Sequence, residues 1–318
     1  MYNDDHGNYD VIGDIHGHVT KLEKLLIKLE YTKSESGYYL HPTRKVVFLG
    51  DFIDGGNEHR KVINIVKPMV ENQAAYAIMA NHEFNCISFH TNHPETGLPL
   101  RERSIKNIGQ HIEFLAEYKK HDKEMLEVIE WFKTLPLFID FPEIRAVHAC
   151  WSVHEMNKIK QYLNADNVIK PELFEAFFVK ANTKNTDEFN AIEVLLKGVE
   201  VPLPEKKSFE DKSGIGRHEI RVKWWLTNGE TYSDYALVPP KTNVPNIPLP
   251  KELIKHYFYG GNEKPVFVGH YWLNGHPEIQ APNIACLDYS AGKGGHQVAY
   301  QWYKNDNGLS TKNFVQSD

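Results

Sequence analysis

Five places in this 318-residue chain set a carboxylate, a carboxamide or an imidazole directly after an apolar run. Asp14 and His16 follow Tyr9-Asp10-Val11-Ile12-Gly13. Asp51 and Asp54 follow Val46-Val47-Phe48-Leu49-Gly50. Asn81 and His82 follow Ala75-Tyr76-Ala77-Ile78-Met79, His148 follows Ile144-Arg145-Ala146-Val147, and His270 follows Val266-Phe267-Val268-Gly269. Each run reads as a short buried strand whose tip opens into a loop. Ligand groups at the mouths of parallel strands lie where open α/β sheets build their sites. One such Asp or His is ordinarily a cap or a turn residue; five junctions together point to a shared centre. A mixed carboxylate, imidazole and carboxamide set suits Mn²⁺, Fe or Zn²⁺ better than Ca²⁺. More than four such donors suggest two cations about 3.5–4 Å apart that share a carboxylate.

The segments between these tips must position them. Val19, Leu22, Leu25, Leu26 and Leu29 recur at helical spacing, and residues from Arg60 to Val70 read as a second helix. The first part of the chain therefore alternates strand, helix, strand, helix, strand, which predicts parallel strands joined by crossover helices. A minor strand is expected at Tyr38–Leu40. Helical period returns at Ile112–Lys119 and Glu124–Lys133, and strands at 135–139, 144–147, 266–268, 284–288 and 297–303. Residues 155–260 lose the pattern and carry Pro202, Pro204, Pro239, Pro240, Pro245, Pro248 and Pro250. They read as a cap inserted over the site within a single domain spanning 1–318.

Composition narrows the field. Hydrophobic residues make up 41% and charged residues 25%, as in an ordinary soluble protein. The net charge of -6 argues against an extended nucleic-acid-binding surface, and no kinase P-loop is present. Cys86, Cys150 and Cys286 form no CxxC pair and read as free thiols of a reducing compartment. No run approaches the roughly 18 apolar residues of a membrane span. The start, Met1-Tyr2-Asn3-Asp4-Asp5-His6, is acidic and lacks an apolar core, so a cytoplasmic location is expected. His6, His41, His59, His111 and His121 are read as surface residues.

As a set, Gly13-Asp14-Ile15-His16-Gly17, Gly50-Asp51-Phe52-Ile53-Asp54, Asn81-His82-Glu83, His148 and Gly269-His270 resemble the calcineurin-like metallophosphoesterases. The likeness is closest to the phosphoprotein-phosphatase branch, which includes bacterial diadenosine tetraphosphatases and the phosphatase module of polynucleotide kinase-phosphatase, and it runs over about residues 9–300. It implies an α/β four-layer sandwich, two mixed β-sheets flanked by helices. It also implies that Asp14 and His16 hold one metal, that Asp51 bridges, and that Asn81, His148 and His270 hold the other. By the same likeness His82 is the general acid, Asp54 bonds its second ring nitrogen, and Asp288 supports the site. The implied reaction is hydrolysis of a phosphate ester or anhydride through a metal-bridging hydroxide. The implied cofactors are two divalent cations, Mn first, with Fe, Zn, Ni or Co as alternatives. A nucleotide or dinucleoside polyphosphate is the leading substrate class; a phosphoprotein phosphatase and a weakly catalytic metal-bound binding module are the alternatives.

The chain departs from that pattern where phosphate-gripping arginines are usual: Gly55 follows Asp54, and Met79-Ala80 precedes Asn81. Bidentate arginines hold phosphate strongly, so replacements are sought elsewhere. Arg217, Arg221 and Trp224 interleave cations and an aromatic ring in the cap, and Lys293 lies in the glycine-rich turn Gly292–Gly295. A solvated cap strand with a packed Trp224-Trp225 pair, and a plain hairpin turn, are the alternatives.

Overall fold

The computed structural model describes residues 7–204, 208–210, 216–238 and 242–317. His6, with the acidic start of the chain, and Pro239 and Pro240 lie outside the described residues. The first elements alternate as expected: β1 Tyr9–Ile12, α1 Val19–Lys28, β2 Lys45–Phe48, α2 His59–Glu71, β3 Ala75–Ala77 and α3 Asn81–His90. Then come α4 Ile105–Tyr118, α5 Asp122–Phe132, β4 Phe138–Asp140 and β5 Arg145–Val147. Helices α6 Val153–Ile159, α7 Phe174–Ala181 and α8 Asp187–Lys197 precede the strands β6 Glu200–Pro202, β7 Glu219–Val222 and β8 Ala236–Leu237. The chain ends with β9 Val266–Val268, β10 Ile279–Ala281, β11 Ile284–Cys286, β12 Asp288–Tyr289, β13 His296–Trp302 and β14 Phe314–Gln316.

Two mixed sheets form the centre. The first runs β12-β13-β1-β2-β3, with β14 added beside β13. Within it β1, β2 and β3 are parallel and β13 is antiparallel to β1. The second runs β10-β11-β9-β5-β4, with β9 parallel to both β11 and β5. Strand alternation sends Val11, Val47, Ala146, Phe267 and Ala285 into the seam between the sheets. Ile12, Val46, Phe48, Val147, Val266 and Val268 point the other way, into the larger core beneath the helices. Burial on both faces is why these strands read as unbroken apolar runs. After β11 the chain crosses from the second sheet to the first at Leu287, whose amide donates to Val268 O at 2.7 Å. That crossing ties the two sheets together beside the strand tips.

The expected cap is corrected in its first half. Residues 153–197 carry three helices joined by turns, and Phe177, Phe178, Ile192 and Leu195 are fully buried in the same core as Phe84 and Phe48. Phe178 stacks on Phe84 at 4.8 Å. The prolines that suggested irregularity begin only at Pro202, beyond these helices. Past them, β6, β7 and β8 make a small antiparallel sheet. Among the described residues, no helix is long and apolar enough to cross a membrane. The three cysteines are free and buried.

Candidate active site

The five junctions converge. β1 delivers Asp14 and His16, and β2 delivers Asp51 and Asp54. Asn81 and His82 lie in the first turn of α3, while His148 and His270 follow β5 and β9. The two leading loops interlock: Ile15 and His16 amides donate to Asp51 O at 3.1 and 2.8 Å. Glu83 fastens the third loop to the second. Its buried carboxylate accepts from the amides of Asp51 and Phe52, both at 2.9 Å, and of Ala80 at 3.2 Å. Burial first, and then the Asp51 charge, push Glu83 up to about 7. The role of Glu83 is hidden in the sequence because two of its three partners, Asp51 and Phe52, lie in a loop distant in the chain.

His16, Asp51, Asp54 and His270 all have backbone φ between 49° and 69°. This left-handed region is costly for residues with a Cβ, and such strain concentrates at functional sites. Gly269 serves another need: a Cβ there would stand 2.1 Å from Asp14 Oδ1.

Asp51 is common to both groups of donors. His16, Asp51 and His82 converge on one side, and Asp51, His148 and His270 on the other. His148 Nδ1 donates to Leu49 O at 2.8 Å, which turns its Nε2 toward Asn81 Oδ1 at 2.9 Å and Asp51 Oδ2 at 3.4 Å. His270 Nδ1 is also 2.9 Å from Asn81 Oδ1. Asp14 Oδ1 is buried without a hydrogen-bond partner. Burial, then the charges of Asp288 and Asp51, raise Asp14 well above the carboxylate range. Three buried carboxylates and several inward-facing lone pairs thus surround one space. Such a donor set fits divalent cations, which would satisfy the orphan oxygen and offset the crowded charge.

Asp288 accepts from the Trp272 amide at 2.6 Å and the Ser290 amide at 2.9 Å, and so braces the loops beside His270 and the 290s. His82 Nδ1 is 2.7 Å from Asp54 Oδ2. Its Nε2 is directed to the Asp51 side, 4.0 Å from Oδ2, and the side chain keeps 24% exposure. Burial alone would lower the His82 pKa. The Asp51 charge, with the bond and charge of Asp54, outweighs it and holds the ring at about 9. Asp54 is itself held well below the carboxylate range: the bonds from His111 and His82 and their charges overcome its burial.

The candidates for phosphate contacts separate. Arg221 lies 5.9 Å from the ring of Trp272, two residues past His270. After burial, the Arg221 charge is the next cause holding His270 far below the usual histidine value. One Arg221 Nη2 donates to Glu200 at 2.8 Å, and its buried Nε has no partner. Lys293 is exposed in a turn at the rim, where a Cβ on the adjacent Gly292 would come within 3.0 Å of the His16 ring. Arg217 is exposed on a two-residue strand paired with Phe209, in a sheet separate from the one that carries Arg221. The expectation that Trp224 meets substrate is corrected. It is 1% exposed, and its Nε1 donates to Ala149 O at 3.2 Å and Tyr271 Oη at 2.8 Å. Trp224 therefore clamps the residues that follow His148 and His270. Of the histidines read as surface, His59 and His111 are buried. His59 pairs with Glu117 at 2.9 Å, and His111 with Asp54 at 2.8 Å.

The chain belongs to the calcineurin-like phosphoesterase family, whose model matches residues 8–186. It is 29% identical over 140 residues to a bis(5'-nucleosyl)-tetraphosphatase PrpE (asymmetrical) of Oceanobacillus iheyensis, covering 44% of this chain and 54% of that protein. The protein of the same name from Halalkalibacterium halodurans is 32% identical over 144 residues, with the same coverage. The chain thus spans about half the length of the curated relatives it matches. A cold-active protein-tyrosine phosphatase of a psychrophilic Shewanella shares the fold at a TM-score of 0.51 and 14% identity, over 95% of this chain and 80% of that one. A protein serine/threonine phosphatase from Saccharomyces cerevisiae does so at 0.50 and 13%, over 97% and 78%.

Proposed function

We propose that the protein is a cytoplasmic metal-dependent phosphohydrolase acting on a nucleotide or dinucleoside polyphosphate. The observation that carries the reading is the shared position of Asp51, which lies with His16 and His82 on one side and with His148 and His270 on the other, together with the bond of His82 to Asp54. Asp14, His16 and Asp51 would hold one divalent cation, and Asp51, Asn81, His148 and His270 the other, with Mn²⁺ first among Mn, Fe, Zn, Ni and Co. Bound there, the cations would lower the pKa of water toward neutrality and neutralise phosphate oxygens.

The remaining work falls to side chains. Asp54 accepts a hydrogen bond from His82 Nδ1–H and so presents Nε2 to the leaving oxygen of the scissile bond. The raised His82 pKa keeps a proton there for transfer to that oxygen. Arg221, with its partner-free Nε, supplies the phosphate contact that Gly55 and Met79 do not. The tetraphosphatase relatives support the substrate class, and the buried free thiols fit a reducing compartment.

The test is product analysis with Mn²⁺-loaded and chelator-stripped protein on diadenosine tetraphosphate, p-nitrophenyl phosphate and a phosphothreonine peptide. Metal-dependent release of mononucleotides at the highest kcat/KM is expected. Faster phosphate release from the peptide would move the protein to the phosphoprotein phosphatases. No turnover of any substrate with metals bound would overturn the enzyme reading in favour of a binding module.

A further inference from the structure

Asp54 is held from two sides. One oxygen faces His82; the other lies 2.8 Å from His111 Nδ1 on α4. A ring nitrogen bonded to an ionised carboxylate carries the proton, so the His111 Nε2 lone pair points away from Asp54. It faces His90 Nε2 at 3.3 Å. Cys86 stands four residues before His90 on α3, on the same face of the helix. One ligand atom from each of Cys86, His90 and His111 lies within 4.8 Å of the others.

We propose that Cys86, His90 and His111 form a third metal site, for zinc or another thiophilic cation, directly behind the His82–Asp54 pair. The donor set of one thiol and two imidazoles is that of a zinc centre with one position left open. Two nitrogens bound at about 2.0–2.1 Å to a tetrahedral ion stand roughly 3.3–3.4 Å apart, which is the spacing His90 and His111 already have. A metal-bound imidazole ordinarily gives its second N–H to a carboxylate, and His111 does so to Asp54. Phe114 stacks on His111 at 4.6 Å and Phe89 flanks it at 5.3 Å, which fixes the ring. Burial first, and then the Asp54 and Glu83 charges, make the Cys86 thiol reluctant to ionise. Those same charges favour a cation beside it. Arg103, whose charge is felt at His90, and Arg101, which feels the charge of Asp54, are opposing cations. His90 is half-buried, so an ion can reach it from solvent. Binding exchanges the thiol proton for the metal, and the proton goes to solvent.

The site shares no ligand with the centre around Asp51, and that centre has no cysteine among its donors. Cobalt therefore distinguishes them. Apo-protein titrated with Co²⁺ should develop a thiolate-to-cobalt charge-transfer band in the near ultraviolet. It should also bind one more equivalent than either Cys86→Ser or His90→Gln, neither of which shows the band. Cys286→Ser should keep it. His90 is partly exposed, so His90→Gln leaves the core intact and protects the test against misfolding of the Cys86 variant. No band in the wild type, a band that survives His90→Gln, or equal metal content in wild type and His90→Gln would overturn the site. The reading is a difference between wild type and variant and needs no turnover, so it stands or falls apart from the phosphohydrolase proposal.

Discussion

Asp10 and Asp14 leave the same strand at opposite ends, and both are buried. Asp10 is closed off. Arg44 grips it through Nε at 2.8 Å and Nη2 at 2.9 Å, and Tyr31 donates to it at 2.9 Å. The same guanidinium also donates to the carbonyls of Tyr9 and Trp302. Asp14 has one amide, that of His270, an orphan oxygen, and two like charges beside it. A carboxylate buried to hold a fold is given its partners by the chain; one buried to receive an ion is left short of them.

The comparison can be broken or sharpened experimentally. The largest effect is expected at the open end. His82→Ala should lower kcat by about 10²–10⁴ with metal content unchanged, as for loss of a general acid; elemental analysis showing metals lost would remove His82 from that role. At the closed end, Arg44→Ala should cost about 3–5 kcal/mol of stability in urea unfolding, because Asp10 is left buried and unpaired, while metal binding persists. Mn²⁺ at about 100 times its Kd should stabilise the wild type by roughly 2.7 kcal/mol and Asp14→Asn by clearly less. The smallest effect is in the metal-free protein. Asp14 has a folded pKa above its unfolded one, so its contribution is favourable below the unfolded value and is lost as pH rises through the folded one. Metal-free wild type should therefore be no more stable than Asp14→Asn at neutral pH, and should close the gap as pH falls. A gap that widens in acid would show that Asp14 is held in its charged form by partners rather than left short of them.

The strand tips were legible because doubly buried parallel strands leave unbroken apolar runs, and Asp14, Asp51, His148 and His270 each stand at the end of one. What lay across the fold was not legible. Glu83 and His111 act on groups in a different loop or helix; the helical spacing of His111 with Phe114 and Tyr118 marks its buried face but names no partner across the fold. Helix α8 did announce itself: Thr186 caps it, accepting from Phe189 N at 3.0 Å, and Asp187-Glu188 occupy its first turn. The prolines farther along obscured that signal. Trp224 misled because basic and aromatic interleaving looks the same whether the ring faces a ligand or the core.

The four left-handed backbones at His16, Asp51, Asp54 and His270 have a consequence for descent. Each such residue stores strain of order 1–3 kcal/mol that glycine would release, less the extra chain entropy a glycine loses on folding, and the side chain's work opposes the exchange. A duplicated copy freed from catalysis would therefore drift toward glycine at these positions before its core changed. Glycine at two or more of them, in a sequence that keeps β1, β2 and β9, would mark a relative that has stopped turning over substrate, and recombinant copies with glycine at Asp51 should bind metal more weakly than this chain.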